Sequence, residues 1–479
     1  MAASPVRHRS MSRCDASWVA TRSKRGLLSA FVLAALAVIV AGCGGNEAAP
    51  SSSGQTGFGP APAAPGGELS TETEAAVDSL VDSALEGTLD EEALGSVASS
   101  KDPRLGWLLS DLLRFSQGGS DAEALVDAFG GLTGADVRDD PDFEVSPWQS
   151  VTDHLIAWDL PAPPGYRERK ARIFLAVEPR WEPFFADADS AIDWRLLSWG
   201  GVLIDDRPLG DPEPCPESCI PALDDPALTD ADGGEWYPGG ETVFGVEVGG
   251  EAIAFPKNIM EVHEMVNITV GGRRLGIPYC TLCGSAQAYF TDSASGEPYV
   301  LRTSGLLSRS NKVMYDLDSR SVFDTFTGEA LSGPLADRGV ELQQTTVVTA
   351  TWDEWKREHP RTRIVAEDGG IGRAYSPDPL GGRDDGGPIF PIGDADPRLP
   401  VQEKVVGVIT PSGDAIAFPA DAARDALEGG DGVKLGGIEL MLDADGLRAF
   451  SGRGEVPAHE AFWFAWSQFH PETDLWEAR

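Results

Sequence analysis

Val243-Phe244-Gly245-Val246, followed by Glu251-Ala252-Ile253-Ala254-Phe255-Pro256, returns later in the chain as Val406-Gly407-Val408 followed by Asp414-Ala415-Ile416-Ala417-Phe418-Pro419. Short alternating runs of this kind, bounded by Gly, Pro and Asp, read as strands. Each copy continues in the same order. A mixed helical stretch comes next, then a Gly-Gly turn (Gly271-Gly272; Gly436-Gly437), then another strand (Leu275 to Tyr279; Ile438 to Leu442). Agreement in composition and order over that length points to two related halves packed into one β-rich body that folds as a unit.

The copies differ where chemistry could lie. The first carries His263 and Asn267 in its helical stretch, and Cys280 and Cys283 after its last strand. The second has Ala, Asp and Gly in the helical region and Met441-Leu442 in its strand. The asymmetry assigns the reactive groups to the first half and scaffold work to the second.

Upstream the texture is helical. Ala75, Val77, Leu80, Val81, Ala84 and Leu85 form one stripe, Leu105 to Phe115 hold another, and Leu125, Val126 and Phe129 a third. Asp102-Pro103 and Ser120-Asp121 read as helix starts and Gly118-Gly119 as a stop. Short helices punctuated this way suggest a HEAT-like array, although no clean repeat period is visible. The fold class is therefore α+β: a helical domain over 71–205, a first β half with the cysteine motif over 211–375, and a degenerate second half over 376–479.

The N-terminus reads as an export signal over 1–42. Arg7, Arg9, Arg13, Arg22, Lys24 and Arg25 precede the uncharged run Leu27 to Val40, shorter than the roughly 17 residues needed to span a bilayer. The run ends in Val40-Ala41-Gly42-Cys43, which resembles the bacterial lipobox. It implies a lipid on Cys43, attachment to the membrane on the extracytoplasmic face, and a flexible Gly/Ala/Pro/Ser/Glu tether over 43–70. The chain of 479 residues has 76 acidic against 38 basic side chains, a net charge of −38. Such a body excludes nucleic acid as a partner and is repelled by anionic headgroups, so acyl chains must supply the membrane affinity.

Apart from Cys14 and Cys43, the cysteines form two close pairs. Cys215 and Cys219, in an acidic loop with prolines, read as a structural disulfide. The other pair lies in Pro278-Tyr279-Cys280-Thr281-Leu282-Cys283-Gly284-Ser285, and three readings stay open. The two thiols could attack and resolve a disulfide; they could hold zinc or copper with Cys215/Cys219 or His263; or they could be an inert disulfide. Ala286-Gln287-Ala288-Tyr289-Phe290 alternates like a strand, which separates the motif from thioredoxin-type sites, where a helix begins there.

Several segments run in the order of a bacterial family known as domain of unknown function 3179. They are Ile220-Pro221-Ala222-Leu223-Asp224-Asp225-Pro226; Ala252 to Pro256; His263-Glu264-Met265-Val266-Asn267; Tyr279 to Ser285; Ser304-Gly305-Leu306; Met314-Tyr315-Asp316; Thr351-Trp352-Asp353-Glu354-Trp355 with His359-Pro360; and Phe462-Trp463-Phe464-Ala465-Trp466 with His470-Pro471. The chain resembles that family from Asp211 to His359, and less strongly in its tail, with Thr281 where proline is common and Phe323 where tryptophan is usual. The resemblance brings no established activity. Selenocysteine in place of a cysteine in some members implies redox work.

The expectation is an extracytoplasmic thiol–disulfide protein using Cys280 and Cys283, with His263 as an assisting group. The alternatives are a zinc- or copper-binding module and a non-catalytic envelope scaffold. Asn267 reads as a helix end or turn, and Trp352 and Trp355 as core. Ser304, Ser310 and Asp316 either line the site or mark strands and turns.

Overall fold

Side-chain caps start the N-terminal helices. Ser70 Oγ accepts from Thr73 N (3.1 Å) ahead of Thr71–Leu85, which carries Glu72 and Glu74 in its first turn, where carboxylates favour the helix dipole. Asp90 caps Glu91–Ser99 in the same way, and Ser146 caps Pro147–Trp158, whose proline sits at the first helical position. Helices Gly106–Phe115, Gly119–Thr133 and Tyr166–Val177 complete most of this layer. The computed structural model describes residues 57–116, 118–215, 218–293, 296–382 and 386–478. The export signal and Cys43 lie outside them.

The helices do not stack as a solenoid. In a HEAT array each repeat meets only its neighbours. Here Gly106–Phe115 is buried in the middle and contacts Gly119–Thr133, Pro147–Trp158 and Tyr166–Val177, while the first helix closes back onto Tyr166–Val177. The contact of Tyr166–Val177 with the central helix is partly ionic: Lys170 Nζ donates to Asp111 Oδ1 (2.6 Å), and Tyr166 Oη to Asp111 Oδ2 (2.7 Å), all three groups buried. The expected tether also ends early. From Gly57 on, the chain lies against the helices: Trp158 Nε1 donates to Phe58 O (3.0 Å), Arg104 to Gly67 O (3.0 Å), and Leu69 packs on the core.

Beyond the helices, five small sheets form a propeller-like ring. The first, in the order Leu197–Trp199, Leu301–Ser308, Asn311–Asp316, Val322–Asp324, shares one apolar core with the helices, running from Leu80, Phe129 and Trp181 to Leu306, Tyr315 and Val322. The boundary near residue 205 is thus a change of texture within a common core.

The sequence repeat is a structural repeat, and larger than its strands suggest. Strands Thr242–Val248 and Glu251–Pro256 form an antiparallel hairpin, as do Lys404–Ile409 and Ala415–Pro419. A helix follows each, Lys257–His263 and Ala420–Glu428. Both Gly-Gly turns have two positive φ angles (57° and 77°; 57° and 82°), the backbone of a type I′ hairpin turn, which glycine adopts freely. Each hairpin then gains a strand–helix–strand unit: Val348–Thr351, Trp352–Glu358, Arg363–Val365 in the first copy, and Ala458–Phe462, Trp463–Phe469, Asp474–Leu475 in the second. The last strand runs parallel to the hairpin in both. Trp355 Nε1 donates to Thr362 Oγ1 and Trp466 Nε1 to Thr473 Oγ1, each at 2.9 Å. Trp352 and Trp355 are core, as expected.

Asn267 departs from the expected helix end. It lies fully buried within strand Met265–Val270, and its amide donates to Asp224 Oδ1 (2.9 Å) and Leu301 O (3.0 Å). Arg302 grips the same carboxylate with two nitrogens, at 2.9 and 2.7 Å. Asp205 and Arg207 pair beside them (2.7 Å), so the buried charges satisfy one another.

Candidate functional site

Strand Arg273–Cys280 runs through the second sheet and ends at the first cysteine. The chain reverses through Thr281 to Gly284 and returns as Ser285–Ala286, with Cys280 opposite Ser285 and Tyr279 opposite Ala286. The motif is therefore a hairpin turn, as the alternation after it implies, and no helix begins at the thiols. Gly284 takes φ +58°, and the ring of Phe462 crowds the place its side chain would fill. Phe462 N donates to Cys283 O (2.8 Å). Phe326, Trp463 and Trp466 pack in the same cluster, so the second half roofs the turn of the first.

Cys280 and Cys283 are both reduced and buried. Their sulfurs share an acceptor: Cys280 Sγ lies 3.7 Å and Cys283 Sγ 3.6 Å from Ser310 O, with Asn311 Oδ1 3.6 Å from Cys283 Sγ. The two thiols differ in acidity. Burial opposes ionisation of Cys280, yet the Cys283 thiol and the main-chain N–H groups of Lys312 and Cys283 outweigh it, leaving Cys280 below the usual thiol value. Burial, and then the hydrogen bond and charge of Cys280, hold Cys283 well above it, with Glu264 and Asp324 adding to the rise.

Two charged side chains frame the pair. Lys312, buried in strand Asn311–Asp316, donates through Nζ to Glu264 O and reaches Tyr279 O at 3.4 Å. Its Nζ lies 3.6 Å from Glu264 Oε2, and Glu264 Oε1 accepts from Thr281 Oγ1 (3.1 Å). Burial pushes the ammonium down, against the charges of Glu264 and Cys280. Neither Lys312 nor Glu264 stands out by residue type. The signal available was a lysine in a strand flanked by the apolar Val313-Met314.

His263 is placed elsewhere. Its Nδ1 bonds Pro221 O (2.7 Å) and its Nε2 bonds Tyr375 Oη (2.7 Å), so both ring nitrogens are engaged away from the thiols. Burial, with lesser repulsion from Arg373 and Arg207, pushes it down to about 4. Of the three accessory candidates only Ser310 reaches the thiols. Ser304 Oγ donates to Val313 O, and Asp316 accepts from Val300 N and Ser319 N in a turn.

Cys215 and Cys219 form a disulfide. Among the described residues they and Asp205 make the one cluster of metal-type ligands, and its sulfurs are committed to each other. Among the described residues no third such ligand is gathered with Cys280 and Cys283, whereas tetrahedral zinc needs four donors.

No curated protein and no solved structure matches the chain. Residues 217–453, the span that holds Cys280, Cys283, Glu264 and Lys312, match the family described as a protein of unknown function (DUF3179), and over that span the chain resembles that family.

Proposed function

We propose that Cys280 and Cys283 form a thiol–disulfide redox centre in a lipid-anchored, extracytoplasmic protein. Cys280 is the attacking sulfur. Its thiolate displaces one sulfur of a partner disulfide, giving a mixed disulfide and a free partner thiolate. Cys283 then loses its proton and attacks Cys280 Sγ, closing the Cys280–Cys283 disulfide and releasing the second partner thiol. The partner gains two electrons and the pair loses two; run backward, the sequence oxidises a dithiol.

The observation that carries this reading is the juxtaposition of two reduced thiols on one carbonyl oxygen, Ser310 O, beside a buried ammonium. A structural role needs no difference between the sulfurs, whereas attack and resolution need one acidic and one held in reserve. The Cys215–Cys219 disulfide and the signal-like N-terminus agree with an oxidising compartment.

The test is one preparation from membranes. Wild-type protein should fractionate with the membrane, and Cys43→Ala should release the protein or stall its precursor. In thiol–disulfide buffers the pair should pass reversibly between dithiol and disulfide, with a potential above about −300 mV, the level below which structural disulfides lie. Stoichiometric zinc or copper, with thiols reactive only after chelation, would overturn the reading. So would a pair that never closes.

A further inference from the structure

We infer that Lys312 is the positioning residue of the thiol centre, holding the Cys280 thiolate through its ammonium and its main-chain N–H, with Glu264 as the opposing charge. The inference deepens the redox reading and rests on it.

Lys312 belongs to the strand that begins directly after Ser310, the residue whose carbonyl receives both sulfurs. One residue thus brings two favourable groups to Cys280, a main-chain N–H from its backbone and a positive charge from its side chain. The side chain is not free to wander. Its bonds to Glu264 O and Tyr279 O hold the ammonium against the last residues of the cysteine strand and the end of helix Lys257–His263. A lysine buried this completely needs negative charge nearby. Glu264 supplies it in the dithiol state, and a Cys280 thiolate would supply a second.

Glu264 reaches this place by an unusual backbone. It caps the C-terminus of Lys257–His263 at φ +50°, a left-handed conformation that side chains other than glycine rarely adopt. The reversal turns Glu264 toward Thr281 and Lys312 while His263, one residue earlier, faces Pro221 and Tyr375. The charged groups that act on Cys280 are therefore Lys312 from its strand, Glu264 from the helix end and Cys283 from the turn; Asp324 bears on Cys283.

Two carboxylate and ammonium neighbours of opposite sign give the test its discrimination. The readout is the thiolate absorbance of fully reduced protein against pH, which needs no reagent to enter the buried site. Lys312→Met should move the Cys280 titration up by about one unit or more, the size expected for loss of an adjacent opposite charge. Glu264→Gln, which keeps the shape and the main-chain acceptor, should move it down. Lys312→Arg should restore most of the wild-type curve. If Lys312 and Glu264 merely pack, the two substitutions shift the curve in one direction or not at all, and the inference is overturned. Should Lys312→Met fail to fold, Glu264→Gln and Lys312→Arg still decide it, since an unshifted Glu264→Gln curve rejects the charge balance. Disulfide closure of the wild type is measured separately. A pair that never closes defeats the redox reading, while opposite shifts in the two variants would still establish the charge balance.

Discussion

At the scale of single residues, the neighbours His263 and Glu264 decide how the site is read. Histidine near a cysteine pair is the obvious assistant, yet its geometry forbids the role. A carbonyl oxygen accepts from Nδ1, so Nε2 must be the bare nitrogen that accepts from Tyr375 Oη. A proton arriving at Nε2 would have to break that bond inside an apolar setting. Burial, with lesser repulsion from Arg373 and Arg207, pushes His263 down to about 4, below its ordinary 6.5. The sign follows: between those values the unfolded chain binds the proton and the fold refuses it, so stability is intact above about pH 6.5 and falls as pH drops toward 4. His459 and His470, pushed down by burial to about 3 and about 4, act in the same direction. His263→Gln should reduce the loss of stability on acidification and leave the Cys280 thiolate titration where it was. Tyr375→Phe, which strands Nε2 without a donor, should cost about 1–3 kcal/mol in urea unfolding. A Cys280 titration that moves with His263→Gln would return the histidine to the site. The motif told where sulfur chemistry lies; which neighbour faces it depended on one left-handed residue, and residue type does not announce that.

At the scale of elements, most of the repeat was open to reading and part of it was overlooked. The hairpins, the helices after them and the Gly-Gly turns follow from alternation and turn chemistry, because each rests on near neighbours in the chain. The strand–helix–strand units are just as repetitive. Trp352, Trp355, His359 and Pro360 recur at the same spacing as Trp463, Trp466, His470 and Pro471. Their strands are short, and each joins its hairpin only after an intervening helix and several further strands, so periodicity alone gives no reason to align them. The packing supplies the reason. Gly245 and Gly407 occupy equivalent positions, opposite Ala254 and Ala417, and the indoles of Trp355 and Trp466 lie where a Cβ would project from each. Each glycine is a seat for a tryptophan. Gly245→Ala and Gly407→Ala should each destabilise by about 1–3 kcal/mol, the range for overpacking a tight core. A loss confined to one copy would mean that the two seats, alike in backbone, are not alike in packing. Gly407→Ala has a second consequence. Trp466 belongs to the cluster that roofs the cysteine turn, so shifting it should also make Cys283 more open to alkylation.

At the scale of the whole molecule, the question is whether the helices and the ring are separable. Composition changes sharply near residue 205, and a change of texture is ordinarily a fair guide to a boundary. The contacts argue otherwise. Strand Leu197–Trp199 leaves the helical segment to pair with Leu301–Ser308, with Leu197 opposite Ser308. Trp181 Nε1 donates to Ser304 O (2.8 Å), Tyr315 Oη to Asp205 O (2.6 Å), and Arg114 Nε to Trp199 O (2.8 Å). Removing residues up to 210 would expose the faces of Leu306, Val313, Tyr315 and Val322 and take away Asp205 and Arg207 together, leaving Arg302 to Asp224. The cysteine hairpin stands next to this junction, since Ser310 follows Arg309, whose N–H donates to Leu196 O (2.8 Å). Loosening the helices therefore loosens the acceptor that both thiols share. Residues 57–478 should unfold in a single calorimetric transition with equal calorimetric and van't Hoff enthalpies. Residues 211–478 alone should bind hydrophobic dyes or aggregate, with both thiols reacting readily in native buffer. Two resolved transitions in the longer protein, with the thiols of the shorter one still protected, would show instead that the ring carries the site without the helices.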